Sequence, residues 1–175
     1  MATPDAPPND IFQPGGKLRL DAVQDATAEV LREAIKYART TRWDSVRSPH
    51  LFMGLLAAPD EGIHTWGDRL GADLPKLLEQ FAELFHQEEG DSEPFLSLNR
   101  EFFSDNVIRL LREAFQRASD QQRRVTPIDV LICLFTTPNS IVAECFERIG
   151  VTAAKLTELA VIAEQQSTSR CQPPL

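Results

Sequence analysis

The chain has 175 residues, of which 42% are hydrophobic and 25% charged, a composition typical of a soluble globular protein long enough to bury one core. Its formal net charge is −8, which argues against nucleic-acid binding because that function needs a concentrated basic face. The sequence contains neither an apolar run of membrane-spanning length nor a charged-then-apolar signal pattern. We therefore expect a cytoplasmic protein without membrane partners.

The first repeat of the chain is predicted to follow a disordered arm. Residues 1–17 are rich in proline and glycine and have no helical periodicity, which predicts disorder. Residues 18–86 then carry apolar stripes at i, i+3, i+4 and i+7 spacing, separated by proline and glycine. The pattern predicts four helices, at residues 21–41, 49–57, 62–70 and 74–86.

The same cycle occurs a second time after an acidic linker. Residues 87–97 form the predicted linker, 98–164 the second repeat, and 165–175 a flexible polar tail. The stretch Leu31–Ile35 reappears as Leu111–Phe115 with an offset of 80 residues. Eight predicted helices in two matched sets, with almost no β pattern, indicate an all-α fold. We expect two pseudo-twofold four-helix units in one compact domain.

The most similar stretches of the two repeats are residues 46–56 and 125–135, which align with an offset of 79. In each stretch a hydroxyl residue precedes proline and an apolar run, a pattern that favours a helix start. Ser48 and Thr126 are the predicted capping residues. Asp129, three residues after Thr126, completes a capping-box arrangement. Each stretch should form the buried central helix of its repeat.

This duplicated pattern resembles the N-terminal (Clp-repeat) domain of the Clp/Hsp100 AAA+ unfoldases. The family phrase, roughly Val-Gly/Thr-Thr/Pro-Glu-His-Leu-Leu-Leu-Gly/Ala-Leu-Leu, is matched by residues 46–56 and more loosely by 125–135. The resemblance covers about residues 18–164 and implies the double Clp-N fold. It also implies binding of substrates, adaptors or a Clp ATPase. The sequence lacks the Gly-x-x-x-x-Gly-Lys-Ser/Thr phosphate loop, so we expect a head module without the ATPase.

Some members of that family bind phosphoarginine through a Glu before the His and a Thr at the start of each first helix. Here Pro49 and Ile128 stand at the two Glu positions, and Gln24 and Ser104 at the Thr positions. A guanidinium group needs a carboxylate as its bidentate acceptor. The resemblance therefore implies that phosphoarginine binding is absent or much weakened.

The sequence provides little for catalysis, metals or cofactors. Its three cysteines are an odd number without CxxC spacing, which indicates neither a disulfide framework nor a zinc site. Cys133 and Cys145 fall at apolar helical positions and should be buried, whereas Cys171 lies in the polar tail. His50 is expected to be a structural residue near a helix start. We predict a non-enzymatic protein that needs no cofactor.

Seven residues are candidate contacts for a protein or peptide partner. The loops after each first helix are basic, and arginine forks match carboxylates; a tryptophan beside arginine is also typical of binding hot spots. These loops supply Arg42, Trp43, Arg47, Arg123 and Arg124. Phe95 and Leu96, between the repeats, either pack across the pseudo-dyad or line a peptide groove. A solvated loop is the alternative for the arginines.

The leading functional hypothesis is a recognition module that captures a peptide, substrate or adaptor for a Clp-type machine. Two alternatives stay open at this stage. One is a structural scaffold, dimerisation or regulatory unit without substrate binding. The other is a helical domain that binds a small ligand, for which a closed pocket with convergent polar groups would be the sign.

Overall fold

The structure is a computed structural model that describes residues 10–89 and 96–171, with side chains described as far as residue 166. In these ranges it contains eight α-helices and no β-strand. The helices are α1 Asp25–Thr40, α2 Ser48–Ala57, α3 Glu61–Leu70, α4 Leu74–Leu84, α5 Asp105–Asp120, α6 Pro127–Thr136, α7 Ile141–Glu147 and α8 Ala153–Cys171. Short 3-10 turns, Leu20–Ala22 and Arg100–Phe102, precede α1 and α5. The predicted all-α tandem repeat is confirmed.

The central helices α2 and α6 form the middle of the molecule. Residues 49–56 of α2 and 127–135 of α6 are all buried. A helix that is apolar on every side must be surrounded by other helices to be stable in water. Accordingly α2 packs against α1 and α4, α6 packs against α5 and α8, and the two central helices contact each other.

The two repeats exchange backbone hydrogen bonds in a symmetric way. The segment before α1 runs parallel to the loop before α6 at Val23 and Val125. The segment before α5 runs parallel to the loop before α2 at Phe103 and Val46. The hydroxyl of Thr27 also donates to the Val125 carbonyl at 2.6 Å. Because each repeat satisfies polar groups of the other, the two units form one body.

Aromatic rings from both repeats fill the centre of the core. Successive rings have centroids 4.8 to 6.4 Å apart, mostly edge to face, as aromatic pairs prefer. The cluster consists of Phe52, Trp66, Phe81, Phe135 and Phe146. The Trp66 indole N–H donates to the Leu156 carbonyl at 3.2 Å. Trp66 is 0% exposed and is part of the core.

The predicted disordered arm is wrong for residues 10–17. Ile11 and Phe12 are 0% and 1% exposed, and Phe12 forms an antiparallel bridge with Leu18. The turn between them includes Gly16 at φ 95°, a left-handed conformation that glycine adopts without strain. Burial of two large apolar side chains outweighs the turn-forming composition of this segment. The rest of the arm, residues 1–9, lies outside the described residues.

Other boundaries also differ from the prediction. Helix α8 continues through the predicted flexible tail to Cys171, because residues 165–171 contain neither proline nor glycine to stop it. Leu84 and Ile149 continue the apolar periodicity of α4 and α7 in the sequence, yet they are 63% and 72% exposed. Ile149 lies beyond the end of α7, so the helical periodicity no longer applies there.

A membrane span requires a helix of about 20 predominantly apolar residues. No single helix among those that the structure describes is long and apolar enough. Helices α6 and α7 meet the composition only as a pair, and they are bent by 72° at their junction.

Candidate functional site

The loop between α1 and α2 holds the first group of predicted contact residues. It turns at Arg42, which has φ 69°, a left-handed conformation unusual for a residue with a Cβ atom. The Arg42 guanidinium donates to the Glu88 carbonyl at 2.9 Å. The Trp43 indole N–H donates to the Phe85 carbonyl at 2.6 Å. Both side chains therefore hold the segment that follows α4 in place through hydrogen bonds to its backbone.

Trp43 is the centre of a small stacked cluster in this loop. Its ring meets the His50 ring edge to face, with centroids 5.6 Å apart. The Arg47 guanidinium lies over the Trp43 ring, 5.1 Å from its centroid, as a cation–π pair. Of the three predicted residues in this loop, only Arg47 is exposed.

His50 is fully buried and its hydrogen bonds define its protonation state. Its Nδ1 accepts from the Arg47 backbone N–H at 2.9 Å, so the proton lies on Nε2. Nε2 contacts the Thr41 hydroxyl at 3.1 Å, and that hydroxyl donates to the Tyr37 carbonyl at 2.6 Å. Burial, helped by the nearby Arg47 charge, lowers the pKa of His50 to about 4. The ring thus acts as a neutral cap of α2, and the predicted structural role is supported.

The predicted cap at Ser48 is wrong. The structure places Ser48 inside the first turn of α2, after Arg47. The His50 ring, three residues on from Arg47, takes over the capping bond to the backbone. In the second repeat the predicted capping box is present. Thr126 accepts from the Asp129 backbone N–H at 3.2 Å, and Asp129 accepts from the Thr126 N–H at 2.8 Å.

The second loop is built on the same backbone as the first. Gln122 takes the left-handed conformation of Arg42, with φ 56°. The Arg123 N–H donates to the Ala118 carbonyl, as the Trp43 N–H donates to the Ala38 carbonyl. Arg123 is therefore the structural counterpart of Trp43. The residue deleted from the second repeat lies between this position and the central helix.

The side chains around Asp129 form an ionic cluster, which we call the Asp129 cluster. It consists of Arg117, Arg123, Asp129 and Glu164. Asp129 is 0% exposed and accepts from Arg117 at 2.6 Å and from Arg123 at 2.9 Å. Both arginines also donate to Glu164 on α8, Arg117 at 2.8 Å and Arg123 at 3.1 Å. The cluster ties α5, α6 and α8 together.

The charges in the Asp129 cluster stabilise one another. Burial alone would raise the pKa of Asp129, but hydrogen bonds from Arg123, the Thr126 N–H and Arg117 outweigh it and lower this pKa below 3.8. The Glu164 carboxylate raises the pKa of Arg117, and Asp129 raises that of Arg123. Asp129, Arg117 and Arg123 are therefore all charged at neutral pH.

The seven predicted contact residues therefore separate into different environments. Arg47 and Arg124 are exposed and can meet a partner. Arg123 is occupied by the Asp129 cluster, and Leu96 is 7% exposed, which agrees with the packing alternative. Phe95 lies outside the described residues.

The positions that the family resemblance connects with phosphoarginine are mainly structural here. Pro49 and Ile128 are both buried in the first turns of the central helices. Gln24 and Ser104 precede α1 and α5, and the Ser104 hydroxyl accepts from the Val107 N–H at 3.3 Å. In this arrangement Pro49 and Ile128 provide no carboxylate.

A surface depression of about 650 Å³ lies along α5 and continues towards the turn at Gly16. Its lining includes Ile108 and the charged residues Asp105, Arg109, Arg112 and Glu113. The depression is shallow and has charges of both signs, unlike the enclosed apolar pockets that hold small ligands. Among the described residues, no three His, Cys, Asp or Glu side chains are grouped closely enough to hold a metal ion.

Sequence reasoning did not find the Asp129 cluster. Its members come from three helices and from the loop between α5 and α6, and Glu164 is 41 residues beyond Arg123. The alignment of the repeats did contain a signal. With their offsets, Tyr37 and Phe85 of the first repeat become Arg117 and Glu164 in the second. An oppositely charged pair that replaces two aromatic residues at matched positions suggests a contact between them.

Comparison with solved structures identifies domains of the same architecture. The N-terminal domain of the caseinolytic protease-associated chaperone ClpD from Arabidopsis thaliana superposes with a TM-score of 0.66 at 20% identity, covering 86% of this chain and 99% of that one. The Hsp104 N-terminal domain from Candida albicans gives 0.64 at 13% identity, covering 79% and 89%. A ClpV N-domain, solved in complex with a VipB peptide, gives 0.60 at 18% identity, covering 85% and 93%.

No protein-family model matches the sequence, and no curated protein matches it. At these identities the structural likeness establishes the fold. The chain has the fold of the Clp N-terminal domains, as the duplicated sequence pattern predicted.

Proposed function

We propose that this protein is a non-enzymatic module that binds peptide segments of other proteins. The observation that carries the proposal is its fold, which it shares over most of its length with N-terminal domains of Clp proteins. One of these domains, from ClpV, has been solved with a VipB peptide bound. The partner of the present chain would be a substrate, an adaptor or a Clp ATPase, met in the cytoplasm.

The exposed arginines of the two loops are one proposed contact. Arg47 and Arg124 are exposed, and guanidinium groups pair well with carboxylates. A partner segment with aspartate or glutamate side chains suits this surface. Phosphoarginine is not the proposed ligand, because Pro49 and Ile128 stand where the carboxylate acceptors would be needed.

The test is selection of peptides from a random phage-displayed library on the purified chain, followed by fluorescence anisotropy with the selected peptides. The loop variant Arg47→Glu/Arg124→Glu is compared with Arg32→Glu/Arg109→Glu, which reverses the same charge at exposed sites on α1 and α5. We expect acidic peptides to lose at least about tenfold in affinity for the loop variant, since each charged contact contributes about 1 kcal/mol or more.

The possible outcomes separate the hypotheses. Equal loss in both variants would indicate a general charge effect and remove the loops from the site. A selection that enriches no peptide would contradict the binding function and favour a scaffold, dimerisation or regulatory unit.

A further inference from the structure

The third and fourth helices of the two repeats pack against each other to different extents. Helix α8 of the second repeat packs along α3 of the first. The pseudo-twofold relation would bring their counterparts, α4 and α7, together in the same way. These two helices approach each other at Phe81 and Phe146, whose ring centroids are 6.2 Å apart, but they are not among the helix pairs that pack along their length.

The exposure of matched residues on the fourth helices shows the same difference. Leu84 of α4 is 63% exposed, whereas its counterpart in α8, Ala163, is 0% exposed. Leu77 is half-buried, whereas its counterpart Leu156 is 0% exposed. Leucine side chains of α4 are thus in contact with water at positions where the matched residues of α8 are buried.

The third helices, α7 and α3, show the same difference in exposure. Ile141 is 46% exposed where its counterpart Gly62 is buried, and Cys145 is half-buried where Trp66 is 0% exposed. Ile149, just beyond α7, is 72% exposed. By the pseudo-twofold relation, we infer that these residues and those of α4 lie on the two sides of one cleft, at the place where Phe81 and Phe146 meet. We call it the α4–α7 cleft, lined by Leu77, Leu84, Ile141, Cys145 and Ile149.

Within the molecule, helix α8 covers the corresponding surface of α3. The contact between α3 and α8 extends from the Trp66–Leu156 hydrogen bond to the Arg69–Gln166 hydrogen bond at 3.1 Å. Residues 156–166 of α8 make up about three helical turns. An amphipathic helix of this length, with leucine or alanine towards the cleft, would bury the exposed side chains of α4 and α7 in the same way.

The exposed charges of α4 and α7 indicate the sign of that helix. They are four glutamates and one lysine, namely Glu79, Glu83, Glu144, Glu147 and Lys76, and the exposed Arg148 directly follows α7. Arg148 is itself close to Glu144 at 3.7 Å. With a net charge of −8 on the whole chain, a second copy would be repelled and a cationic segment attracted.

We propose that the α4–α7 cleft binds one cationic amphipathic helix, of about three turns, from a partner protein. This proposal rests on the peptide-binding function proposed above and gives it a site and a ligand class. It is separate from the arginine loops, which suit an acidic segment, and the two surfaces can be tested independently.

The test uses a fluorescein-labelled 15-residue peptide of leucine and lysine, with leucines spaced at i, i+3, i+4 and i+7 so that they form one helical face. A scrambled peptide of equal composition controls for charge alone. Binding is followed by anisotropy for the wild type, for Leu84→Ser/Ile149→Ser, and for Leu20→Ser. Leu20, which is 47% exposed and belongs to the turn before α1, provides a matched apolar deletion outside the cleft. Circular dichroism and thermal unfolding verify that each variant is folded.

We expect the ordered peptide to bind the wild type and the scrambled peptide to bind at least about tenfold more weakly, because only the former presents an apolar face. Leu84→Ser/Ile149→Ser should lose at least about tenfold in affinity, and Leu20→Ser should bind like the wild type.

Three results would overturn the proposal. One is unchanged affinity in Leu84→Ser/Ile149→Ser; if peptides from the phage library bind the protein at the same time, the general function stands and only the cleft is wrong. The second is no binding of the ordered peptide by the wild type. The third is a dimer in analytical ultracentrifugation that Leu84→Ser/Ile149→Ser dissociates, which would make a second copy the occupant.

Discussion

The two repeats use the same backbone turn before their central helices but stabilise it with different chemistry. In the first repeat, Trp43 and the neutral ring of His50 lie together. In the second, their counterparts Arg123 and Asp129 form an ion pair that Arg117 and Glu164 extend. A duplicated fold therefore fixes where side chains meet, while the two sets of side chains can change together from aromatic to ionic.

The largest expected effect comes from removing the central carboxylate of the Asp129 cluster. Asp129→Ala leaves Arg117 and Arg123 without their buried partner and also removes the capping bond to Thr126. Breaking a buried ion pair on one side typically costs about 3–5 kcal/mol, and we expect a loss near 3 kcal/mol because the arginines are partly exposed. Urea unfolding of the purified variant measures it.

The matched variant in the first repeat is His50→Ala, which removes a neutral cap and creates no unpaired charge. Its loss in the same urea experiment should be smaller, about 2 kcal/mol. Equal losses for the two variants would contradict the distinction between a neutral and an ionic turn.

The next effect concerns how closely the first two helices of each repeat approach. Gly54 of α2 faces α1, and a Cβ atom there would lie 2.3 Å from the Val30 carbonyl oxygen and 3.0 Å from the Ala34 nitrogen. Its counterpart in α6 is Cys133, which fits a larger side chain at the same position. Gly54→Ala should lower the free energy of unfolding by about 3 kcal/mol, because backbone atoms must move apart.

Cys133→Ala is the matched change, since it introduces the same side chain, alanine, at the corresponding position of the second repeat. It removes one buried sulfur atom and should cost about 1 kcal/mol. If Gly54→Ala cost no more than that, the close approach of α1 and α2 would not be important for stability.

The pH dependence of stability should also differ between the two turns. The pKa of His50 is about 4 in the folded protein and 6.5 in the unfolded chain, so the unfolded chain binds more protons between these values. The contribution of His50 to stability is present above pH 6.5 and is lost as the pH falls towards 4. The full shift corresponds to about 3 kcal/mol.

His50→Gln should remove this pH dependence, and urea unfolding between pH 4 and 7 measures it. Asp129, whose folded pKa lies below 3.8, loses its contribution only at more acidic pH. The slope that Asp129 contributes therefore lies below the His50 window. An unchanged slope in His50→Gln would contradict the assignment.

These contrasts also show which features the sequence could predict. Helical periodicity and the repeated stretches at residues 46–56 and 125–135 were sufficient for the class and the duplicated architecture, because both depend on local pattern. The packing of Ile11 and Phe12 and the exposure of Leu84 were not predictable. Ile11 and Phe12 are buried because residues distant in sequence cover them. Leu84 is exposed because it lacks such a neighbour.

The candidate site was predictable in the same limited sense. The basic loops were found from composition, but whether an arginine is available to a partner depends on its contacts. Arg123 is occupied by Asp129 and Glu164, whereas Arg124, the next residue, is exposed. The limited packing between α4 and α7 was not predictable, because it depends on how helices of different repeats meet in three dimensions.

The smallest expected change in stability is that of Arg47→Ala. Arg47 is a surface residue that contacts the turn containing Trp43 and His50. Arg47 lies over Trp43 on the protein surface, where a cation–π contact is worth about 0.5–1 kcal/mol, so Arg47→Ala should lower stability by no more than that. Its charge is also one cause of the low pKa of His50, after burial. The variant should therefore raise the His50 pKa slightly, which an NMR titration of the imidazole protons measures, with Arg32→Ala on the exposed face of α1 as the control. A His50 pKa that did not change would assign its lowering to burial alone, and the two turns would then differ in their buried groups only, without help from the surface arginine.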